Sequence, residues 1–339
     1  MPNLFIIFRK PKRVIRKDLA AALMFPSNRF RARKIHFLLV SSSLLGRLTP
    51  EQKRQIFKRD TENSEAYQLY LKGRYFWFRR SEEGNKRAGQ YFQQAIEKDP
   101  SYALAYAFLS NTYEQSGINS WTSPNDAFPK AKTAALKALK IDRGLGEAHV
   151  ALASVLMFYD LNWREAEKEL TQALNLNAND AHTHRVYSYY LAAMHQIDDA
   201  IIEMKEAQKL DPLSVSILED LGWMYVFARQ YDQALNQADA IIEMDANYWS
   251  GYLLRGESYL HKKLPDKALE GFQLGEKLSN EDQFALADAG YAYAELGNKK
   301  KALAVAQSLL NMRKQRYVSP VYLAAVYCAL HDSDRAFAR

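Results

Sequence analysis

The seven histidines and one cysteine of this 339-residue chain are the side chains best suited to metal binding or nucleophilic chemistry. His182 and His184 stand two positions apart. On a helix that spacing puts them on different faces, so they cannot chelate one ion as an i, i+4 pair could. His149, His195, His261 and His331 are scattered among distant segments; they read as surface or groove residues, and no metal is expected. Cys328 has no second cysteine to pair with, and the apolar run around it predicts a small buried packing residue rather than a nucleophile. There is no glycine-rich phosphate loop, no Gly-x-Ser-x-Gly elbow and no kinase signature. Glu165, Lys168 and Glu169 read as a solvated helix face. These residues therefore predict neither an enzyme nor a cofactor.

The elements that carry them follow a fixed ruler. Ala200, Ala234, Ala268, Ala302 and Ala336 are spaced 34 residues apart, and each of the middle three is preceded by a glycine and a tyrosine: Gly222 and Tyr225, Gly256 and Tyr259, Gly290 and Tyr293. A unit of that length cannot bury its own apolar face, so the repeat predicts stacked helical hairpins with a core that grows unit by unit. With only 14 glycines and 10 prolines, and 48% hydrophobic residues, the chain suits long helical stretches broken by short turns. Gly73, Ser110, Ala153, Ser188, Gly222, Gly256, Gly290 and Ala324 are small where the two helices of each hairpin are expected to cross.

The first two units depart from the ruler. In the second, Ile118 to Pro129 is rich in Asn, Ser and Pro and predicts a surface loop. The eighth opens near Tyr317, and the chain stops three residues after Ala336. Leu323, Val326 and Tyr327 are therefore expected to present an apolar end to the array, with fraying or self-association there.

These residues resemble the tetratricopeptide repeat family, whose 34-residue pattern has a large residue, Leu-Gly and Tyr in the first helix and Ala, an aromatic or aliphatic, Ala and Pro in the second. Leu218, Leu221, Gly222, Tyr225, Tyr231, Ala234 and Ala238 follow it nearly whole; Tyr252, Gly256, Tyr259, Ala268 and Phe272 follow it again. The resemblance implies an all-α fold, a right-handed superhelical solenoid of about eight antiparallel helical hairpins, in which the first helix of each hairpin lines a concave groove. By that register the groove residues are Tyr70, Arg74, Trp77, Asn111, Phe158, Arg185, Tyr189, Glu219, Trp223, Phe227, Leu253, Glu257 and Tyr291. Aromatics beside a few charges imply a peptide or protein partner. The stretch from Thr61 to Trp77 and the later Tyr317-Val318-Ser319-Pro320 are also similar to the C-terminal repeat modules of large bacterial signalling proteins. In those, the upstream part can be a protein kinase, an adenylate cyclase or a winged-helix DNA-binding domain.

Charge divides the chain. Residues 1–48 hold 11 Lys and Arg against one acid, a net +10; the remainder holds 35 basic and 38 acidic residues, a net −3. The basic head can contact nucleic acid or anionic membrane, or be a poorly ordered or misassigned segment. Its apolar run, Ile35 to Leu45, is far short of the roughly 20 residues that span a bilayer. The expected organisation is a basic segment over 1–48, a lead-in helix and linker over 49–63, and the repeat array over 64–339, in a cytoplasmic protein.

Overall fold

In the computed structural model the chain falls into two units, Met1–Arg59 and Asp60–Arg339. The structure describes residues 60–79 and 81–337. The basic head and the lead-in helix expected at Glu51 lie outside them.

The described residues form sixteen helices. They run α1 (Ser64–Trp77), α2 (Glu82–Lys98), α3 (Ala103–Ile118), α4 (Pro124–Ile141), α5 (Gly146–Phe158), α6 (Trp163–Leu176), α7 (Ala181–Ala193) and α8 (Ile197–Leu210). The second half continues with α9 (Val215–Phe227), α10 (Tyr231–Met244), α11 (Trp249–His261), α12 (Pro265–Leu278), α13 (Gln283–Glu295), α14 (Lys299–Arg313), α15 (Pro320–Ala329) and α16 (Ser333–Ala336). Each odd-numbered helix packs on the even-numbered helix that follows it, and successive hairpins stack. Eight hairpins in one solenoid is the architecture the repeat implies.

The small residues sit where helices cross. A Cβ at Gly73 would lie 2.5 Å from the Phe92 ring, and one at Gly290 would lie 2.8 Å from Val305 and 2.9 Å from Val326 of the next hairpin. At Ser110 the hydroxyl crosses the same gap and donates to the Ala131 carbonyl at 2.8 Å. Ala166, Ala200, Ala234, Ala268 and Ala302 are wholly buried, which places the ruler on the inner face of the return helices.

The turns inside the hairpins have a chemistry of their own. Leu161, His195, Arg229, Lys263, Gly297 and His331 all have positive φ, between 54° and 78°. This left-handed residue stops each opening helix and lets a later amide reach back. Gln196, Gln230, Leu264, Asn298 and Asp332 donate to the carbonyls of Leu191, Tyr225, Tyr259, Tyr293 and Tyr327, at 2.7 to 3.0 Å. Only one of the six positions is glycine.

Three expectations are corrected. The excess residues of the second unit form no long loop: α4 starts at Pro124, and Ala127 and Phe128 are buried at 1% and 3% exposure. Their apolar side chains are used to lengthen the return helix to 18 residues, with Pro124 at its first turn, where no amide bond is lost. Leu323, Val326 and Tyr327 do not form an apolar end, because α15 turns them inward onto the preceding hairpin and α16, at 6%, 0% and 7% exposure. Cys328, by contrast, is exposed; it falls on the outward face of α15.

Candidate functional site

Five of the residues assigned to the groove converge on one cavity. Tyr70, Arg74 and Trp77 project from α1, Asn111 from α3 and Arg185 from α7, and with Phe108 they line a space of about 510 Å³. Period places them there: positions 70, 74 and 77 share one face of α1 at i, i+4, i+7 spacing. Their rings pack on one another, with Tyr70 edge-on to Phe108 at 5.4 Å and Trp77 edge-on to Phe108 at 5.5 Å. The Arg74 guanidinium lies 5.5 Å from the Phe108 and Phe78 rings and 5.9 Å from that of Tyr70, so aromatic faces hold the cation.

The cavity also contains polar atoms without partners. Asn111 is only 1% exposed, yet among the described residues neither its amide nitrogen nor its amide oxygen finds a hydrogen-bond partner, and Arg74 Nε and Trp77 Nε1 are likewise buried and unpaired. A buried amide left in this state costs about 1 to 3 kcal/mol per unmet group unless something pairs with it. Arg185 is different: burial opposes its charge, but its bond to the Asp220 carboxylate keeps the guanidinium protonated. It lies 5.5 Å from the Tyr189 ring, which meets Phe158 at 6.2 Å, so these three continue the wall along α5 and α7. Burial pushes the Tyr70 phenol up while Arg74 pulls it down, and burial raises the Glu147 carboxyl at the mouth of α5.

The other assigned residues lie elsewhere. Glu219 accepts from Tyr248 at 2.7 Å and from Ser250, and so ties α9 to the next hairpin. Trp223 is half-buried against the core and Phe227 is exposed at 66%. Leu253 is wholly buried and has no surface to offer a partner; it fills the space left by Gly275. Glu257 and Tyr291 belong to an acidic end of the same face. Glu257 Oε2 and Asp288 Oδ2 are buried without hydrogen bonds. Burial raises both carboxyls, Asp288 well above the ordinary range with the Glu257 charge pushing it further.

Several lining residues were not assigned from the sequence. Glu147, Asp180, His182, Ser214 and Tyr248 stand at the starts of later opening helices or just before them, yet they face the same space as α1. Trp77 meets His182 edge-on at 5.8 Å across 105 positions of sequence. The repeat register gives the face of each helix but not the coil that folds one end of the array toward its middle, so nothing local in the sequence could have marked them.

His149 and His184 have structural partners. His149 Nδ1 is 2.6 Å from Glu169 Oε2 and its Nε2 is 3.0 Å from the Arg143 carbonyl. His184 repeats this one hairpin later, 2.6 Å from Glu203 and 3.0 Å from the Ala178 carbonyl. Among the described residues, no three His, Cys, Asp or Glu side chains come together as a metal site, and no helix is long and apolar enough to cross a membrane.

The chain is similar in part to a repeat family, to proteins of known sequence and to solved structures. The tetratricopeptide repeat family model matches residues 219–282. Superkiller protein 3 of Schizosaccharomyces pombe is 25% identical over 194 residues, 55% of this chain and 13% of that protein. The BBSome complex member BBS4 of Bos taurus is 30% identical over 115 residues, 34% of this chain and 22% of that protein. The chain thus spans less than a quarter of the length of either relative. Among solved structures, human IFIT1 bound to m7Gppp-AAAA aligns with TM-score 0.59 at 16% identity, covering 76% of this chain and 66% of that one. PilF of Pseudomonas aeruginosa aligns with TM-score 0.47 at 20% identity, covering 64% and 94%.

Proposed function

The helical array is one of tetratricopeptide repeats, and from that premise we propose that the chain is a non-catalytic scaffold whose concave face binds an extended segment of a protein partner. The observation that carries this reading is Asn111. Its carboxamide offers one donor face and one acceptor face, both unused and both shielded from water. A peptide group presents the complementary acceptor and donor. Arg74 Nε and Trp77 Nε1 add two donors beside it, so the segment that fits brings additional carbonyl or carboxylate oxygens. The aromatic wall of Tyr70, Trp77 and Phe108 supplies apolar contact area at low conformational cost.

The test is binding of the full chain to an arrayed peptide library, with wild type compared against Asn111→Ala and Trp223→Ala. Peptides held by the groove should bind Asn111→Ala at least roughly tenfold more weakly, the loss expected when a buried donor and acceptor are left unmatched. The melting temperature of the free chain should not fall, because the substitution removes an unmet donor and acceptor. Identical peptide profiles for wild type and variants sink the reading.

The working context we propose is bacterial signalling in the cytoplasm, on the similarity of residues 61–77 to the repeat modules of such proteins; on the same footing, a larger protein carrying a kinase or adenylate cyclase domain upstream is the setting this chain would fit. A second reading, contact with DNA or an anionic membrane, is favoured by one observation, the net +10 of residues 1–48. Binding through that head should weaken steeply as salt rises and vanish when residues 1–48 are deleted, whereas groove binding should survive the deletion.

A further inference from the structure

Ser120 and Gln283 are 163 positions apart, yet Gln283 Nε2 donates to the Ser120 carbonyl at 2.7 Å. Both residues are buried, at 5% and 2% exposure. Ser120 sits in the turn between α3 and α4 with φ at 57°. Gln283 opens α13, just after the cap residue Asp282. Burial pushes the Tyr322 phenol, from α15, up, and the neighbouring Ser120 pulls it back, which puts α15 beside the same turn. Further along, Arg316 reaches Glu82 at 3.5 Å while its second nitrogen donates to the Glu281 carbonyl at 3.1 Å. In each long-range contact one partner lies at the turn inside the first or second hairpin. The other lies at the junction leading into the seventh or eighth. The solenoid has therefore come round far enough for its two edges to meet.

This closure matters because Asn111 is 1% exposed. The cavity that holds this amide is lined by α1 and α3 on one side and by Ser214 and Tyr248 of later hairpins on the other, so the winding of the coil sets how wide it stands. We propose that the seam formed by Ser120, Gln283, Tyr322, Glu82 and Arg316 is a releasable latch on the concave chamber: closed, it holds the coil wound around the cavity; open, it lets the first two hairpins swing away and exposes the groove. The inference rests on the reading of the concave face as the binding surface.

The seam is the interface best suited to open first. Neighbouring hairpins are joined by wholly buried side chains such as Phe92, which packs on Phe108, and Leu254, which packs at Gly222. Polar contacts join the seam among the described residues: Gln283 to Ser120, and Arg316 to Glu281 and Glu82. The Arg316–Glu82 pair is 42% and 54% exposed, and ion pairs in that setting contribute little and are screened by salt. Gln283 uses its amide nitrogen only; its Oε1 is buried without a partner, so breaking the contact frees one group that gains a bond to water on release.

The test needs no partner, so its failure cannot be confused with failure of the groove reading. In full-length chain carrying Cys328→Ser, a single thiol is introduced by Asn111→Cys and its maleimide-labelling rate is measured. A control thiol, Ala135→Cys, sits in the core at 0% exposure. With the seam intact, labelling at position 111 should be much slower than that of a free thiol. Adding Gln283→Ala should raise it at least fivefold while position 135 stays protected. Arg316→Ala, at an exposed position, should raise it less, and its effect should be mimicked by salt. The proposal is overturned if position 111 labels at the free-thiol rate with the seam intact, if neither seam variant changes the rate, or if positions 111 and 135 accelerate together, which would make the seam a part of global stability only.

Discussion

The first two hairpins and the last four are built on the same register and put it to different ends. In the rear, the 34-residue interval holds without exception, and its crossings are filled by Gly222, Gly256 and Gly290 against Leu254, Phe272 and Val305. In the front, α3 and α4 are 16 and 18 residues long, and the buried polar atoms without partners include Arg74 Nε, Trp77 Nε1 and both amide atoms of Asn111. The rear holds fewer such groups among the described residues: two are amide oxygens, of Gln237 and Gln283, and two are the carboxylates Glu257 and Asp288, which can shed charge by taking up a proton. An arginine or an asparagine has no such escape. Regularity therefore goes with fewer unmet groups, and the departures from period coincide with the place where most of the unmade hydrogen bonds among the described residues gather.

Phe92 and Phe272 occupy the same register in the two regions, four residues after Ala88 and Ala268, and both are wholly buried. Truncating either to alanine should cost about 3 to 5 kcal/mol in its own neighbourhood. If stability is a sum of nearest-neighbour terms, Phe272→Ala should expose rear amides to hydrogen exchange and leave the front protected. Exchange rising equally along α1 to α4 would show that the array melts as one body and that the contrast between regions is superficial. The seam makes this a demanding test, since Gln283 joins the rear to the front.

A smaller effect checks the register itself. Ala234 is wholly buried, whereas its neighbour Gln233 is exposed. Ala234→Leu should cost about 1 to 3 kcal/mol by overpacking the crossing, and Gln233→Leu should change stability by no more than about 0.5 kcal/mol. Thermal melts of the two variants that coincide would mean the inner face has been assigned to the wrong residues.

How much of this was legible depended on the distance between the residues involved. The hairpins and their crossings follow from a period of 34, and the helical repeat of 3.6 puts Tyr70, Arg74 and Trp77 on one face of α1; that this face lines the groove is what the family resemblance implies. Glu147, His182 and Tyr248 were not legible, because the small rotation between hairpins accumulates over several units before it brings them to face α1. Leu253 was assigned to the groove by register and lies in the core, since neighbouring hairpins close over that position. Phe128 looked like part of a polar loop, because Asn, Ser and Pro around it conceal an apolar face that the return helix uses. Cys328 looked buried because the apolar run was read without its face.

Between front and rear lie the two histidine clasps, which add a pH dependence to the comparison. His149 and His184 each face a carboxylate and a backbone carbonyl, and only the doubly protonated ring can donate to both. The Glu169 bond raises His149 against burial; for His184, burial is opposed by the Ala178 carbonyl and Glu203, with Glu206 nearby, and the balance is again upward. A raised folded value means that the stabilisation is complete below the unfolded value of about 6.5 and is lost as pH rises through the folded one. The expected size is roughly 1 kcal/mol per clasp, that of a hydrogen bond to a charged group reduced by partial exposure. Melting temperature should fall between pH 6 and pH 9 more in wild type than in the doubly substituted His149→Gln, His184→Gln chain. Parallel curves would remove the clasps from the account.

The smallest expected effect bears on why the rear is regular at all. At the left-handed turn position, His195, Arg229, Lys263 and His331 carry side chains where only Gly297 does not. An L-residue in that conformation costs on the order of 1 kcal/mol relative to glycine, offset in part by the larger entropy that glycine loses on folding. Lys263→Gly should therefore stabilise the chain by about 0.5 kcal/mol, and Gly297→Ala should destabilise it by about 1 kcal/mol. A Cβ at Gly297 meets nothing within 4 Å, so packing cannot supply the difference. Strain is then tolerated at four of the five regular turns because the amide that follows each one, such as Leu264 donating to Tyr259 at 3.0 Å, closes the end of the helix. If Gly297→Ala proves neutral in denaturant titration, the reach-back bond fixes the turn without regard to residue type, and the period of the rear owes nothing to local strain.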